Sequence, residues 1–250
     1  MVKRVSIFVA ILSTIVFNYV LQAYPMQGKG LSELSDKYQT YFQPAGYAFA
    51  IWGLIYLGLL TFAVFQLTQK KHSFIYERIW AWVLVSCAAN VLWLVTFQFE
   101  LLVASLCFMA ILWFSLFTIV NRLHRGLLAY SRFSRFLLRF PFSLYFGWIT
   151  AAFLVNISIV LDYTVYGFPI LLSEVQWSEV LIIATAVLAA VYIIGLRDFI
   201  APLAIAWALI GIQQQYAQIP GIANAVWIAC GGIGFALFIQ LYFLYKQKKI

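Results

Sequence analysis

Charge is scarce in this chain. Asp, Glu, Lys and Arg make up only 10% of its 250 residues, against 65% hydrophobic residues and a mean hydropathy of +0.95. That balance excludes a soluble globular domain and predicts an all-α, polytopic membrane helix bundle. Histidine is nearly missing: His72 and His124 both sit in basic loops, which argues against a membrane haem held by a histidine pair. Cysteine is sparse and odd in number. Cys87, Cys107 and Cys230 lie inside apolar runs, so a disulfide framework is not expected and they read as small buried residues.

What is present in quantity is long apolar sequence. A hydrocarbon core of about 30 Å needs roughly 20 helical residues. By that measure eight spans are expected, near 5–23, 47–69, 79–99, 101–121, 140–161, 180–196, 199–216 and 222–245. Lys3 and Arg4 precede the first run as they would in a secretory signal. The run is long, however, and its one small-residue site near Ala23 lacks a small partner at Leu21, so a retained helix is expected.

The placement of charge tests this count. With a cytoplasmic N-terminus, the inner side holds Lys3, Arg4, Lys70, Lys71, Arg78, Arg122, Arg125, Arg132, Arg135, Arg139, Arg197, Lys246, Lys248 and Lys249. Only Lys29 and Lys37 fall outside. Fourteen of sixteen positive residues on one side is the positive-inside pattern, and it puts both termini in the cytoplasm. The net charge of +8 is thus accounted for by orientation, and no nucleic-acid partner is expected. Arg132, Arg135 and Arg139 share a helical face suited to anionic headgroups, so membrane lipids are expected partners. On the outer side, Leu31, Leu34 and Tyr38 recur at helical spacing within the 24–46 connection. They predict a short amphipathic surface helix, either a lid or a solvated linker.

The spans themselves carry amides and aromatics in place of charge. A charge at mid-membrane costs about 2.5–3.5 kcal/mol, and transporters that keep one use it for coupling; its lack argues against an ion-coupled pump. Phe49, Trp52 and Tyr56 line one face behind the Pro44 turn. Asn90, Trp93 and Phe97 do so on the third span, and Tyr145, Trp148 and Asn156 on the fifth. An asparagine in lipid needs a partner, so these faces are expected to turn inward. They serve either as helix glue or as an aromatic pocket for a flat apolar ligand, oriented by amides.

At these residues the chain resembles the TspO/MBR family, the tryptophan-rich sensory proteins that include the mitochondrial translocator protein. Trp52-Gly-Leu-Ile-Tyr56 is similar to the family's Trp-x-x-Leu-Tyr. Asn90, Trp93 and Phe97 match its Asn-x-x-Trp-x-x-x-Phe, and Trp148 with Asn156 match its fifth-helix pair. Departures are Ala45 in place of the second proline, Tyr47 where a tryptophan is expected, and Pro141 three residues early relative to Trp148. The resemblance covers roughly residues 1–161 and implies a five-helix core, followed by an extension over 162–250 with three more spans. It implies a hydrophobic ligand, porphyrin or sterol-like, in a pocket capped by the first loop, and a homodimer. The implied contacts are Trp52, Asn90, Trp93 and Trp148, with Tyr47 beside them.

No cofactor or metal site is expected, and enzymatic chemistry has little support, since no span offers a His, Asp, Glu or Lys as base. Two rival roles remain open. One is a small-solute transporter built from helical repeats, although the halves show no internal repeat. The other is a structural or regulatory partner of another membrane protein. The Gly231-Gly232-x-Gly234 cluster reads as a close helix contact.

Overall fold

The computed structural model describes residues 1–29, 31–69, 73–126, 131–165 and 171–247. Lys70, Lys71, His72, Lys248 and Lys249 lie outside the described residues, as does the Leu31 side chain. Every regular element described is helical: α1 (Val2–Ala23), α2 (Leu31–Lys37), a 3-10 turn (Gly46–Ala50), α3 (Ile51–Thr68), α4 (Ser73–Gln98), α5 (Leu102–Gly126), α6 (Arg132–Thr164), α7 (Glu174–Leu196), α8 (Ala201–Gln215) and α9 (Pro220–Gln247).

Seven of these helices are long and apolar enough to cross a membrane. The segment expected to span at 199–216 forms the 15-residue helix α8, which rises about 22 Å, shorter than the roughly 30 Å hydrocarbon core. Its start is fixed by Asp198, whose Oδ1 accepts from the amides of Ile200 and Ala201 at 2.8 and 3.1 Å. The first helical residue is Ala201, so the apolar Phe199 and Ile200 lengthen the hydropathic run without lengthening the helix. At the other end of α7, Ser173 and Gln176 form a reciprocal capping box.

Helix α6 is the centre of the bundle, with 67% of its most apolar stretch buried, against 22% for α1. It takes α3 and α5 on its flanks and receives α8 across Gly147. Helices α7, α8 and α9 pack on one another, and α1 leans on α3 and α4. Pro141 sits inside α6 and packs against Gly58 of α3, whose missing side chain leaves room for the ring. The C-terminal end of α5 and the N-terminal part of α6 meet Asp198 in one buried cluster. His124 Nε2 lies 3.3 Å from Asp198 Oδ2, while the Arg139 guanidinium donates to His124 Nδ1.

Two expectations are corrected. Gly231, Gly232 and Gly234 face outward on α9, with no atom within 4 Å of where a Cβ would stand, so they make no close helix contact within the chain. Cys107 is exposed on α5 and the other two cysteines are only partly covered, because an apolar residue in lipid need not face the protein.

Candidate functional site

The residues singled out by spacing fall into two groups. The first lies between the 3-10 turn, α3 and α6. Trp52 packs on Tyr56 at 5.3 Å between ring centroids, on Tyr145 at 5.6 Å and on Trp148 at 6.5 Å. Phe49 meets Trp148 edge-on at 5.6 Å. Tyr145 and Trp148 are buried, Trp52 and Tyr56 half-buried, and Phe49 is 41% exposed, so the cluster runs from the core to the surface. The i, i+3, i+4 spacing puts Tyr145 and Trp148 on the α6 face that meets α3.

A chain of amides anchors this cluster. Asn18 of α1 donates from Nδ2 to Asn90 Oδ1 at 2.7 Å, and Asn90 donates from its own Nδ2 to the Tyr145 hydroxyl at 2.8 Å. Three helices are thereby tied at mid-bundle by groups that lipid would leave unpaired. Asn18 lies within the first apolar run of the sequence, but only the fold identifies its partner. Between α1, α3, α4 and α6 a narrow gap touches Tyr56, Asn90 and Tyr145; its volume is about 20 Å³, room for one water molecule.

The second group sits toward the α4–α5 turn, with Trp93 packed on the same core as Trp52 and Trp148. Trp93 donates from Nε1 to Asn156 Oδ1 at 3.2 Å and stacks on Phe97 at 6.2 Å. Ser105 of α5 reaches the same Asn156 oxygen at 3.5 Å. Above it lies α2, with Leu34 fully buried and Tyr38 edge-on to Phe97 at 6.4 Å. Lys37 and Tyr38 both donate to Glu100 in the α4–α5 turn. Those hydrogen bonds, Lys37 first, hold the Glu100 carboxyl below its ordinary range. The amphipathic segment therefore packs as a cover on this end of the bundle.

Tyr47 stands apart from both groups. It is 45% exposed and meets Trp207 of α8 edge-on at 5.5 Å. Trp207 also donates from Nε1 to the Ala48 carbonyl at 2.9 Å, and the Ala45 amide donates to the Gly211 carbonyl at 3.0 Å. Helix α8 thus braces the loop that delivers Phe49 and Trp52. No sequence spacing pointed to Trp207, because its partners are about 160 residues away.

The first group consists of neutral rings, amides and hydroxyls. It can stack on a flat surface and offer hydrogen bonds, and among the described residues no three His, Cys, Asp or Glu side chains gather to hold a metal. The family model described as TSPO-like protein matches residues 4–241, well past residue 161, where the motif resemblance stops. No curated protein and no solved structure matches the chain.

Proposed function

Because the chain belongs to the TSPO-like family, we propose that it binds a planar hydrophobic ligand, a porphyrin or a sterol-like ring system, against the Phe49–Trp52–Trp148 face within the membrane. One observation carries this reading: aromatic rings from the 3-10 turn, α3 and α6 converge into a continuous cluster held by an Asn18–Asn90–Tyr145 chain. Each ring stacked on a ligand contributes about 0.5–1.5 kcal/mol beyond area burial. Several such contacts plus the buried macrocycle approach the roughly 8 kcal/mol of a micromolar complex.

A gap of about 20 Å³ does not hold a macrocycle, so binding in this reading requires a part of the wall to move. The half-exposed Phe49 and Trp52 and the weakly buried α1 are the parts with least to lose. Residues 1–161 then form the ligand-binding core, and 162–250 brace its first loop through Trp207 and Gly211. The role is sensory, transporting or regulatory.

The test is titration of the purified protein with protoporphyrin IX, read by the porphyrin's own absorbance. Phe49→Ala with Trp52→Ala should weaken binding about tenfold or more, while Trp148→Phe keeps a ring and weakens it only slightly. A folded double variant that binds as tightly as the parent would remove the assignment.

We place the protein in the plasma membrane with both termini cytoplasmic, on the strength of its Lys and Arg distribution, a topology in which the short α8 makes the eighth crossing. Single cysteines at Leu171 and at Arg197 should then react with an impermeant thiol reagent from opposite sides. Labelling of both from one side would overturn that topology.

A further inference from the structure

A larger space opens where α6 ends and α7 begins. Its volume is about 410 Å³, within the roughly 300–1,000 Å³ of small-molecule sites. Tyr41, Tyr163 and Tyr216 bring aromatic rings to its wall, and Asp162 and Glu174 bring two carboxylates. Thr40 completes it. These residues come from the first loop, α6, α7 and the end of α8.

The hydrogen bonding decides what such a wall can accept. Tyr216 donates its hydroxyl to the Thr40 carbonyl at 2.8 Å, and Tyr163 donates to the carbonyls of Lys37 and Gln39, both at 3.3 Å. Those protons are committed to backbone, which leaves the rings as the lining. Tyr41 and Tyr216 pack edge to face at 5.4 Å. Among the described residues Asp162 receives the Ser158 hydroxyl, at 3.3 Å. Neither carboxylate forms an ion pair among the described residues, and the neighbouring Lys37 ammonium is already held by Glu100. No Lys, Arg or His lines the space among the described residues. Thr40 is only 7% exposed, and its Oγ1 lies beneath the wall without a hydrogen-bond partner among the described residues.

We propose that this space binds a small organic cation, an ammonium-bearing ligand held between the tyrosine rings and the Asp162 and Glu174 carboxylates. Ring quadrupoles attract a cation over their faces, and they do so more strongly where water is displaced. Two unpaired carboxylates add attraction of the same sign and repel anions. A bare metal ion fits less well, since calcium takes six to eight oxygen ligands and only two carboxylates are present.

The test is calorimetric titration of the full-length protein in nanodiscs with choline and with 3,3-dimethylbutan-1-ol, its neutral counterpart of the same shape. Choline should bind, and the alcohol should bind about tenfold more weakly or not at all. Asp162→Asn with Glu174→Gln should cost choline about tenfold in affinity. Glu174→Gln alone, on an exposed first helical turn, should fold as the parent does and show a smaller loss of the same sign. Equal binding of choline and the alcohol, an unchanged choline affinity in the folded carboxylate variants, or no choline binding at concentrations on the order of 10 mM each overturns the proposal. Displacement of choline by equimolar calcium chloride would likewise overturn it, in favour of an inorganic cation site.

Discussion

Gly147→Ala should destabilise the protein by about 1–3 kcal/mol or more, although it adds a single methyl group. A Cβ at this position would stand 2.2 Å from the Ala201 carbonyl oxygen and 2.7 Å from the Ala201 Cα. Both are backbone atoms at the start of α8, and neither can rotate away as a flexible side chain would. Helices α6 and α8 would have to part, and with them the Trp207 and Gly211 contacts that brace the first loop. Gly53→Ala is the matched control. It lies in the first turn of α3 with no described atom within 4 Å of where its Cβ would stand, so relief of backbone entropy should leave stability unchanged or raised by about 0.5–1 kcal/mol. Thermal unfolding in detergent, followed by size-exclusion recovery, reads both. Equal midpoints for Gly147→Ala and the parent would show that the α6–α8 crossing is not close in solution.

The contrast between those two glycines marks what a sequence can and cannot reveal here. Long apolar runs place α1, α3–α7 and α9 because lipid imposes a length on each span, and no partner is needed to read it. The short α8 escapes that ruler, since Phe199 and Ile200 extend its apolar run while the helix begins at Ala201. Helical spacing also shows which residues share a face: Trp52 with Tyr56, Tyr145 with Trp148, Trp93 with Phe97. It does not show how the helices are rotated against one another. Spacing alone therefore joins Trp93 to Trp148 in one pocket, whereas in the fold Trp93 turns to Asn156 beneath α2, and Trp148 meets Phe49 and Trp52. The lid reading of the first loop was half legible. Leu34 and Tyr38 mark an apolar stripe, but Glu100, which clips it down, lies more than 60 residues away. Tyr41, Asp162, Glu174 and Tyr216 come from four separate segments, and no periodicity links them.

Asp198→Ala should cost about 3–5 kcal/mol, the range for removing one member of a buried charged network. Asp198 is 2% exposed and serves two structures at once. Its Oδ1 accepts from the Ile200 and Ala201 amides at the start of α8, and its Oδ2 faces His124 Nε2, so the alanine variant strands donors on both sides. Asp198→Asn is not a full rescue. It keeps an acceptor for the amides but points an amide N–H at His124 Nε2. The Arg139 guanidinium already lies within hydrogen-bond distance of both ring nitrogens of His124, so the new N–H competes with it for the imidazole. Burial opposes the Asp198 charge, yet the hydrogen bonds from His124, Ser143 and the Ala201 and Ile200 amides outweigh it and hold the carboxyl below its ordinary value of 3.8. Between the folded and ordinary values the unfolded chain binds the proton more readily, so stability rises with pH across that window. The contribution is fully present above about pH 4 and is lost as the pH falls through the lowered value. Thermal midpoints of the parent should therefore drop on acidification below pH 4. Those of Asp198→Asn should start lower and lack this component of the drop. Parallel acid profiles for the two proteins would show that the α5–α6–α8 junction does not depend on the Asp198 charge.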